Sequence, residues 1–597
     1  WLDVLKNMRV ALRRRGPDEN GEWLRDHVGL SQARLSIRDL ANGSQPMTRK
    51  IGDREYAITY NGEIYNADEL KADLEEKGWV FRTTSDTEVI LLGMIEYGTA
   101  FVEKLNGIYA YGFWDEAQKT LVLARDRAGV KPLFYAFEDH NILFASEPKA
   151  LLEFPGIRPV LDRQGLCEIF GIGPARTHGV GVFKGFFEVK PGCFLIKTPS
   201  SCKEISYWDL ESKEHSDSYE ETIQKVTFLV KDSTIRQMVS DVPICAFLSG
   251  GLDSSLLTAI ANKKHLEDTG RPINTFSFDF KGNKEHFKGN SFQAEQDRPY
   301  VDKMLKALGT NHTYLECDNE VLADYLYKSV DAKDLPGMAD VDASLLYFCE
   351  LVKKYNKVAL TGETADEIFG GYPWFHRKDM FERNMFPWSS NLETRQMLLT
   401  DEARKALNLE EYAVFRYEES LAQTPILEGE TGDEKRRREL AYLNIKWFMS
   451  TLLDRMDRAS MYSGLEARVP YADHRIMEYV FNIPWSIKCK DGAVKHLLQE
   501  AGEGILPVEV QKRKKSPYPK TYHPGYERII RERLLDVLDN KNSPILALID
   551  PEKAKSFLSS SFDYGKPWFG QLMAGPQMIA YLLQVNYWLE KYKISIE

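Results

Sequence analysis

A loop that could bind phosphate lies at residues 249–255, which read Ser-Gly-Gly-Leu-Asp-Ser-Ser. It follows the apolar run 243–248, which predicts a buried strand, and it precedes a segment with helical spacing. Adjacent glycines allow a tight turn that brings backbone N–H groups close to a ligand, and a helix N-terminus adds partial positive charge. The loop is not a Walker A motif because no Gly-Lys-Ser/Thr ends it. Asp253 would repel phosphate unless it holds a divalent cation, so the loop indicates Mg²⁺.

A second loop, residues 361–372, also follows a short apolar run and carries Glu363, Asp366 and Glu367 beside glycines. Three carboxylates so close together are costly unless a cation or a positively charged substrate pairs with them. Both loops also have a structural interpretation, a serine-capped turn for the first and an acidic surface turn for the second. Their occurrence together favours a nucleotide site.

Five short N-terminal segments are rich in groups that could bind an amino acid. An arginine and an aspartate could hold its carboxylate and ammonium. An asparagine followed by a glycine could form an oxyanion hole. Each segment alone is more often a turn or a surface ion pair, so the interpretation depends on finding all five segments in this order along the chain. The segments are 14–18, 34–39, 61–66, 85–86 and 126–135.

The elements that would position the N-terminal segments form a β-rich, layered domain over residues 1–195. The first predicted strand, 56–60, is expected to stop at the turn dipeptide Asn61-Gly62. The other predicted elements are strands 108–115, 120–126, 134–137 and 142–145 and helices near 68–78 and 87–97.

A polar stretch, 196–222, is interpreted as an irregular linker, and the pattern changes after it. Continuously apolar strands that alternate with helices predict a parallel sheet covered on both faces over 223–597. From about residue 400 the chain is expected to be mostly helical. The predicted strands are 243–248, 275–280 and 357–360, and the predicted helices are 219–239, 254–263 and 301–308.

The composition is that of an ordinary globular protein, with 597 residues, 43% hydrophobic and 28% charged. A net charge of −11 with interleaved Lys and Arg argues against a nucleic-acid partner. No apolar run reaches the ~18 residues of a membrane helix, and no signal peptide is visible. Seven cysteines without a C-x-x-C motif predict a reducing, cytoplasmic setting, without a zinc site or disulfide framework.

Together these motifs resemble the glutamine-hydrolysing asparagine synthetases, over nearly the whole chain and in the same order. Loop 249–255 resembles the pyrophosphate loop of the N-type ATP pyrophosphatases. The resemblance implies an α+β, Ntn-hydrolase-like αββα sandwich (a class II glutaminase without its first strand) joined to an α/β, adenine nucleotide alpha hydrolase-like domain with extra helices. It also allows a homodimer. The most specific segments are 61–66, 249–255, 362–372 and 465–471, the last reading Leu-Glu-Ala-Arg-Val-Pro-Tyr.

The resemblance implies roles for five residues of the first domain. Arg34 and Asp86 would hold the carboxylate and amino group of the substrate glutamine. Asn61 and Gly62 would form the oxyanion hole, and Glu63 would help to bind glutamine.

In the second domain the resemblance implies an ATP site with Mg²⁺ held by Asp253 and Asp366. Glu363 would lie near the ammonia and the acyl-adenylate, and Lys495 would stabilise the adenylation transition state. The implied ATP-binding residues are Leu248, Ser249, Gly250, Gly251, Asp253, Ser254, Ser255, Phe278, Thr361 and Gly362.

The sequence departs from the family pattern in three places. The family's nucleophile is an N-terminal cysteine, whereas this sequence begins with Trp1 and has no cysteine before Cys167, so we expect the opening strand and nucleophile to be missing from it. Thr364 replaces a glycine and is expected to alter the acceptor pocket, while Thr361 replaces a serine and keeps the hydroxyl. Arg38 stands where an apolar residue is usual, and the sequence offers no reason for it.

The expected reaction is amidation of the aspartate side chain by ATP, through an acyl-adenylate, with ammonia from glutamine crossing an internal channel. One alternative is the same chemistry on another carboxylate, by an amide-forming enzyme or a cyclase of the β-lactam or lasso-peptide type. The other is an ammonia-dependent or regulatory homologue that lacks the nucleophilic cysteine.

Overall fold

An antiparallel sheet organises the N-terminal part of the structure, a computed structural model that describes residues 1–287, 289, 295–389, 391–559 and 567–597. Alternate residues of its strands face opposite sides: Ile58 packs under two helices, whereas Ala57 packs against two smaller sheets. From edge to edge its strands are Cys202–Ser206, Cys193–Lys197, Thr120–Arg125, Gly107–Asp115, Arg54–Ile64 and Met47–Ile51.

Helices cover both outer faces of these layers, so the N-terminal part is stacked as helix, sheet, sheet and helix. Met8, on the helix Leu2–Ala11, packs with the apolar side chains of the smaller sheets. The smaller sheets pair Glu19–Leu24 with Gly29–Arg34, and Phe134–Glu138 with both Asn141–Ala145 and Phe186–Glu188. The helices are Leu2–Ala11, Ala67–Glu76, Asp86–Tyr97, Pro148–Leu151 and Arg163–Cys167.

Two sequence predictions about this part are wrong. The strand Arg54–Ile64 does not stop at Asn61-Gly62 but runs through it, because Gly62 adopts a φ of +149° where a Cβ atom would lie 2.0 Å from the carbonyl oxygen of Ile108. The predicted linker also contains a strand, Cys202–Ser206, which pairs with Cys193–Lys197 and completes the sheet.

Five parallel strands form the sheet of the C-terminal part, in the order Asn311–Cys317, Asn274–Phe280, Ile244–Phe247, Val358–Leu360 and Glu466–Arg468. The three strands predicted in this region are confirmed, as is the helical character beyond residue 400. The two strands that were not predicted are those at the edges of the sheet. In chain order the strands run 3-2-1-4-5, which is a doubly wound arrangement.

Helices surround this sheet and make up most of the remaining C-terminal residues. In the described ranges, none of them combines the length and apolar character needed to cross a membrane. They are Tyr219–Arg236, Leu252–Thr269, Asn283–His286, Arg298–Leu308, Asn319–Lys333, Asp340–Val352, Ala365–Phe369, Lys378–Phe381, Leu392–Gln396, Asp401–Leu407, Leu409–Ala422, Gly432–Leu443, Ser450–Tyr462, His474–Asn482, Trp485–Lys488, His496–Ala501, Val508–Gln511, Pro524–Asp539, Pro551–Ser559 and Gly575–Lys591. A short C-terminal strand, Ser595–Ile596, pairs with Val160–Leu161 of the N-terminal part.

Buried ion pairs join the two parts of the chain. Lys131 places its Nζ 3.2 Å from Asp457 and 3.5 Å from Glu466. Arg468 binds Glu466 at 2.9 Å and reaches Glu63 at 3.2 Å. Lys131 and Arg468 are both 0% exposed. Removing one partner from such a set leaves an uncompensated charge in the interior.

We predict that Arg468→Met lowers the free energy of unfolding by about 3–5 kcal/mol, because Glu63 and Glu466 lose their shared cation. Urea denaturation followed by tryptophan fluorescence measures the change. Lys378→Met is the matched control, since the ion pair of Lys378 with Glu382 lies at the surface and contributes about 0–1 kcal/mol. An unfolding midpoint equal to that of the parent protein would show that these ion pairs do not stabilise the fold.

Glu367 is a buried carboxyl in the short helix Ala365–Phe369, and the Tyr372 hydroxyl donates a hydrogen bond to it. Burial, together with the negative charge of Asp366, raises the pKa of Glu367 from 4.5 to about 8. The folded protein therefore keeps a proton that the unfolded chain releases above pH 4.5.

We predict that Glu367→Gln reduces the loss of stability between pH 5 and pH 8. A raised carboxyl pKa favours folding at low pH, and that contribution is lost as pH rises toward 8, by at most about 1.4 kcal/mol per pH unit. Glutamine cannot ionise, so the variant should become relatively more stable as pH rises. Glu382→Gln, at an exposed site, is the control; identical pH profiles for Glu367→Gln and the parent would contradict the assignment.

Candidate functional site

A cavity of 690 Å³ opens at the carboxyl ends of the parallel strands. Ile244–Phe247 and Val358–Leu360 are neighbours there, and their chain connections leave in opposite directions, which is where doubly wound sheets bind ligands. Loops 249–255 and 361–366 follow these strands and touch: a Cβ atom on Gly362 would lie 2.9 Å from the backbone nitrogen of Ser254.

Most of the predicted ATP-binding residues line this cavity. Two do not: Gly250 and Ser255. Gly250 turns against the helix Arg298–Leu308 with a φ of +70°, and a Cβ atom there would lie 2.7 Å from the nitrogen of Val301. Ser255 is fully buried within its own helix. The residues that do line the cavity are Leu248, Ser249, Gly251, Asp253, Ser254, Phe278, Thr361 and Gly362.

Hydrogen bonds to its own serine hydroxyls fix the conformation of the loop after Ile244–Phe247. The Oγ atoms of Ser249 and Ser254 lie 3.0 Å apart, and the N–H of Gly251 points at Ser249 Oγ at 3.4 Å. The helix Leu252–Thr269 starts immediately afterwards, so its unpaired N–H groups and its dipole favour an anion at this loop.

The predicted acidic residues meet two lysines at the cavity wall. Lys495 lies 2.6 Å from Asp253 and 2.8 Å from Asp366, and Lys515 contacts the other oxygen of Asp366. Burial opposes the charge of Lys495, but the two aspartates outweigh it and raise its pKa. Burial likewise opposes ionisation of Asp366, but the two lysines lower its pKa to about 2. The four side chains thus form a compact charged cluster beside the phosphate loop.

Glu363 and Thr364 line the same cavity next to this cluster. Arg455 holds the Glu363 carboxylate at 2.8 Å. Thr364 is buried with a φ of +75°, a conformation that a β-branched residue rarely adopts.

Sequence reasoning missed three cations of the site, Arg455, Arg513 and Lys515. Arg513 donates to the carbonyl oxygen of Ser249 at 3.2 Å and pairs with Asp297 at 2.6 Å, which fixes the loop from outside. The basic run 512–515 was the available signal, because four adjacent cations complement the carboxylates of loop 361–372.

The donor set suits Mg²⁺ bound together with a nucleotide. Within the described ranges, no group of three or more His, Cys, Asp or Glu side chains is arranged to hold a metal ion. Mg²⁺ at nucleotide sites is usually held by one or two carboxylates and by substrate phosphates. Asp253 and Asp366, which share one lysine at the cavity wall, could provide those carboxylates.

A second cavity, of 130 Å³, lies in the N-terminal part and brings together all five predicted glutamine-binding residues. In the part of the chain that the structure describes, the Asn61 amide nitrogen Nδ2 is buried without a hydrogen-bond partner. An unpartnered donor beside the N–H of Gly62 is what an oxyanion hole requires. The five residues are Arg34, Asn61, Gly62, Glu63 and Asp86.

An ion pair and two hydrogen bonds fix Arg34 and Asp86 in this second cavity. Arg34 pairs with Glu19 at 2.7 Å. Asp86 accepts hydrogen bonds from the Tyr60 hydroxyl and the N–H of Ile64. These contacts orient both predicted ligands of the amino acid.

Arg38, which the sequence left unexplained, is now accounted for. It contacts Glu63 at 3.4 Å and Asp68 at 2.6 Å. Burial and Asp86 raise the pKa of Glu63, whereas Arg468 and Arg38 oppose that rise. Arg38 therefore supplies part of the positive charge that keeps a buried Glu63 in place.

The two cavities are separated by a partition that the helix Ser450–Tyr462 helps to form. Met461 and Glu466 line the second cavity, while Arg455 and Met456 line the first. Three of these residues belong to one helix, Ser450–Tyr462. The strand Glu466–Arg468 also contacts both sites, because Glu466 lines the second cavity and the backbone oxygen of Arg468 accepts from the N–H of Thr361 at 3.0 Å.

Comparison with known proteins gives matches over both parts of the chain. The family described as Asparagine synthase matches residues 225–590, and the family described as Glutamine amidotransferase domain matches residues 2–208. "Asparagine synthetase [glutamine-hydrolyzing] 3" of Bacillus subtilis (strain 168) is 48% identical, covering 100% of this chain and 99% of the relative. "Asparagine synthetase [glutamine-hydrolyzing] 1" of the same organism is 30% identical, covering 87% and 84%. "Amidase chry2" of Gibberella zeae is 26% identical, covering 94% and 91%.

The order of the two matched families along the chain agrees with the positions of the two sites. The five predicted glutamine-binding residues of the smaller cavity lie within 2–208, and loops 249–255 and 361–366 of the larger cavity lie within 225–590. The chain belongs to the asparagine synthase family, with a glutamine amidotransferase domain ahead of its synthase domain.

Proposed function

We propose that this protein converts aspartate to asparagine, using ATP for activation and glutamine as the nitrogen donor. The observation that carries the proposal is the cavity at the strand switch point, where Lys495 contacts both Asp253 and Asp366 beside the phosphate loop. The 48% identity over the full chain to a relative named as a glutamine-hydrolysing asparagine synthetase supports the choice of reaction.

The chemistry needs activation because a free carboxylate is a poor electrophile. An oxygen of the aspartate β-carboxylate would attack the α-phosphorus of ATP, and pyrophosphate would leave. Ammonia would then attack the acyl carbon, lose a proton and expel AMP, which keeps the oxygen taken from aspartate. Enclosure in the cavity would protect the acyl-adenylate from water.

Different residues of the first cavity would act in the separate steps of this reaction. The N–H groups that begin the helix Leu252–Thr269 would bind the leaving diphosphate. Lys495 would stabilise the negative charge that grows during attack on the α-phosphorus. The Glu363 carboxylate, held by Arg455, would accept a hydrogen bond from the incoming ammonia. Asp253 and Asp366 would hold Mg²⁺, which supplies charge neutralisation at the phosphates.

In the second cavity, glutamine would be hydrolysed through a thioester intermediate. Arg34 and Asp86 would hold the carboxylate and amino group of glutamine, with help from Glu63. The amide of Asn61 and the N–H of Gly62 would donate to the oxyanion formed when a cysteine thiolate, as in the family, attacks. Ammonia would cross the partition at the helix Ser450–Tyr462.

The proposal also covers the fold of each part, the domain limits, the oligomeric state and the location. The helix–sheet–sheet–helix stack supports an Ntn-hydrolase-like αββα sandwich as the fold of the N-terminal part, and the doubly wound sheet supports an adenine nucleotide alpha hydrolase-like fold for the C-terminal part. The domain limits 1–195 and 223–597, the homodimer and the cytoplasmic location remain predictions. The strand Cys202–Ser206 favours moving the first limit to about residue 206.

A related amide-forming activity on another carboxylate is the alternative. Thr364, buried at the cavity wall in an uncommon conformation, is the observation that favours it. Assays of pyrophosphate release with different carboxylates separate the two activities: release with aspartate supports the proposal, and release only with another acceptor supports the alternative.

We predict that Asp253→Asn and Lys495→Met each lower ammonia-dependent asparagine formation by roughly 10²–10³-fold, the usual effect of removing one preorganised electrostatic partner. Amino-acid analysis and pyrophosphate release measure the rate. The matched controls are Asp379→Asn and Lys378→Met at exposed positions. Parental rates in both site variants would contradict the assigned roles.

We predict that Asn61→Ala lowers the kcat for glutamine hydrolysis by roughly 10²–10³-fold, because one oxyanion donor is lost. The melting temperature should stay close to that of the parent, since the amide nitrogen of Asn61 bonds nothing in the described residues. Glutamate release measures the rate, and Asn141→Ala, at the exposed start of the strand Asn141–Ala145, is the control. An unchanged kcat would exclude Asn61 from the oxyanion hole.

A further inference from the structure

Thr364 combines two unfavourable features at one position of the nucleotide cavity. Its φ of +75° is a conformation that a β-branched side chain rarely adopts. Its side chain is also buried, with the residue 1% exposed, and its hydroxyl Oγ1 has no hydrogen-bond partner among the described residues. A glycine would avoid both costs. Strain and an unsatisfied polar group at one residue are typical of a site where a ligand supplies the missing contact.

Thr364 lines the cavity between two groups that the reaction would use. Glu363, the preceding residue, is held by Arg455 at 2.8 Å and would accept a hydrogen bond from ammonia. Asp366, two residues further on, lies 2.8 Å from Lys495, which would stabilise the reacting α-phosphate. The acyl carbon of the adenylate is joined to the α-phosphorus through one oxygen and must also be reached by ammonia. It would therefore lie between these two groups, beside the part of the cavity wall that Thr364 forms.

The acyl oxygen of the intermediate still needs a donor. When ammonia adds to the acyl carbon, this oxygen gains a negative charge, which a preorganised hydrogen-bond donor stabilises strongly in an enclosed site. Arg455 already binds Glu363, and Lys495 is assigned to the phosphate. The Thr364 hydroxyl has no partner in the part of the chain that the structure describes, so it can donate without breaking a bond within the protein.

We propose that Thr364 is the oxyanion donor of the synthase site, with its hydroxyl directed to the acyl oxygen of the adenylate. This inference rests on the proposed function of the same cavity. The nitrogen lone pair of ammonia forms the bond to the acyl carbon, and the C=O electron pair moves to the oxygen. That pair then returns, the bond from the carbon to the oxygen of AMP breaks, and the nitrogen loses a proton to Glu363. Thr364 keeps its own proton throughout.

The test is a single-turnover experiment by rapid quench, with aspartate, Mg-ATP and ammonium, in which pyrophosphate and asparagine are measured separately. Thr364→Val removes the hydroxyl but keeps the branched shape. It should slow asparagine formation roughly 10²-fold and change the rate of pyrophosphate formation by less than about twofold, because the donor acts only after adenylation. Thr364→Ser, which keeps the hydroxyl, should recover most of the rate. Thr48→Val, at an exposed position of the strand Met47–Ile51, is the control.

Thr364→Gly separates the role of the hydroxyl from the stability of the fold. Glycine adopts a positive φ without strain, so this variant should melt no lower than the parent and should slow asparagine formation as much as valine does. Selective slowing of asparagine formation in both variants, with recovery by serine, supports the proposal.

Two results would overturn the assignment of Thr364 alone. One is a parental rate of asparagine formation in the valine or glycine variant. The other is equal slowing of pyrophosphate and asparagine formation, which would mean that Thr364 only shapes the cavity. A parent protein that forms no pyrophosphate with aspartate would instead refute the proposed function, and this inference with it.

Discussion

The sharing of one buried lysine between two aspartates is the interaction on which the rest of the site depends. Lys495 can neutralise Asp253 and Asp366 together only because their loops leave neighbouring parallel strands at the point where the connections diverge. The phosphate loop, the acidic loop and the C-terminal segment that supplies both lysines meet at this point. Without the lysine, two carboxylates would face each other in a poorly solvated cavity.

The fold could be predicted where side-chain pattern and burial agree. Ile244–Phe247 and Asn274–Phe280 are apolar and central, and they were identified. Asn311–Cys317 was missed because it is a polar, half-exposed edge strand. Glu466–Arg468 was missed because charged residues usually lie outside, whereas here Lys131 and Glu63 of the other domain neutralise them. The continuation of Arg54–Ile64 through Gly62 depends on a close neighbouring strand, which local turn statistics do not include.

The candidate site also contains residues that could be predicted from the sequence and residues that only the fold brings together. Residues within a compact motif, such as Asp253 and Asp366, could be recognised because glycines and carboxylates stand close together in sequence. Lys515, the partner of Asp366, and Arg455, the partner of Glu363, come from segments 149 and 92 positions away, and only folding brings them into contact. Gly250 was assigned to the ligand by its place in the motif, but its lack of a side chain serves packing against a helix.

The central claim is that the carboxylate of aspartate attacks the α-phosphorus of ATP in the cavity beside Lys495. The most direct test uses aspartate labelled with ¹⁸O in its β-carboxylate, together with ATP, Mg²⁺ and ammonium, followed by mass spectrometry of the products. Transfer of one labelled oxygen to AMP, with none in pyrophosphate, is the predicted result. Label in inorganic phosphate accompanied by ADP, or AMP formed without label, would contradict the account.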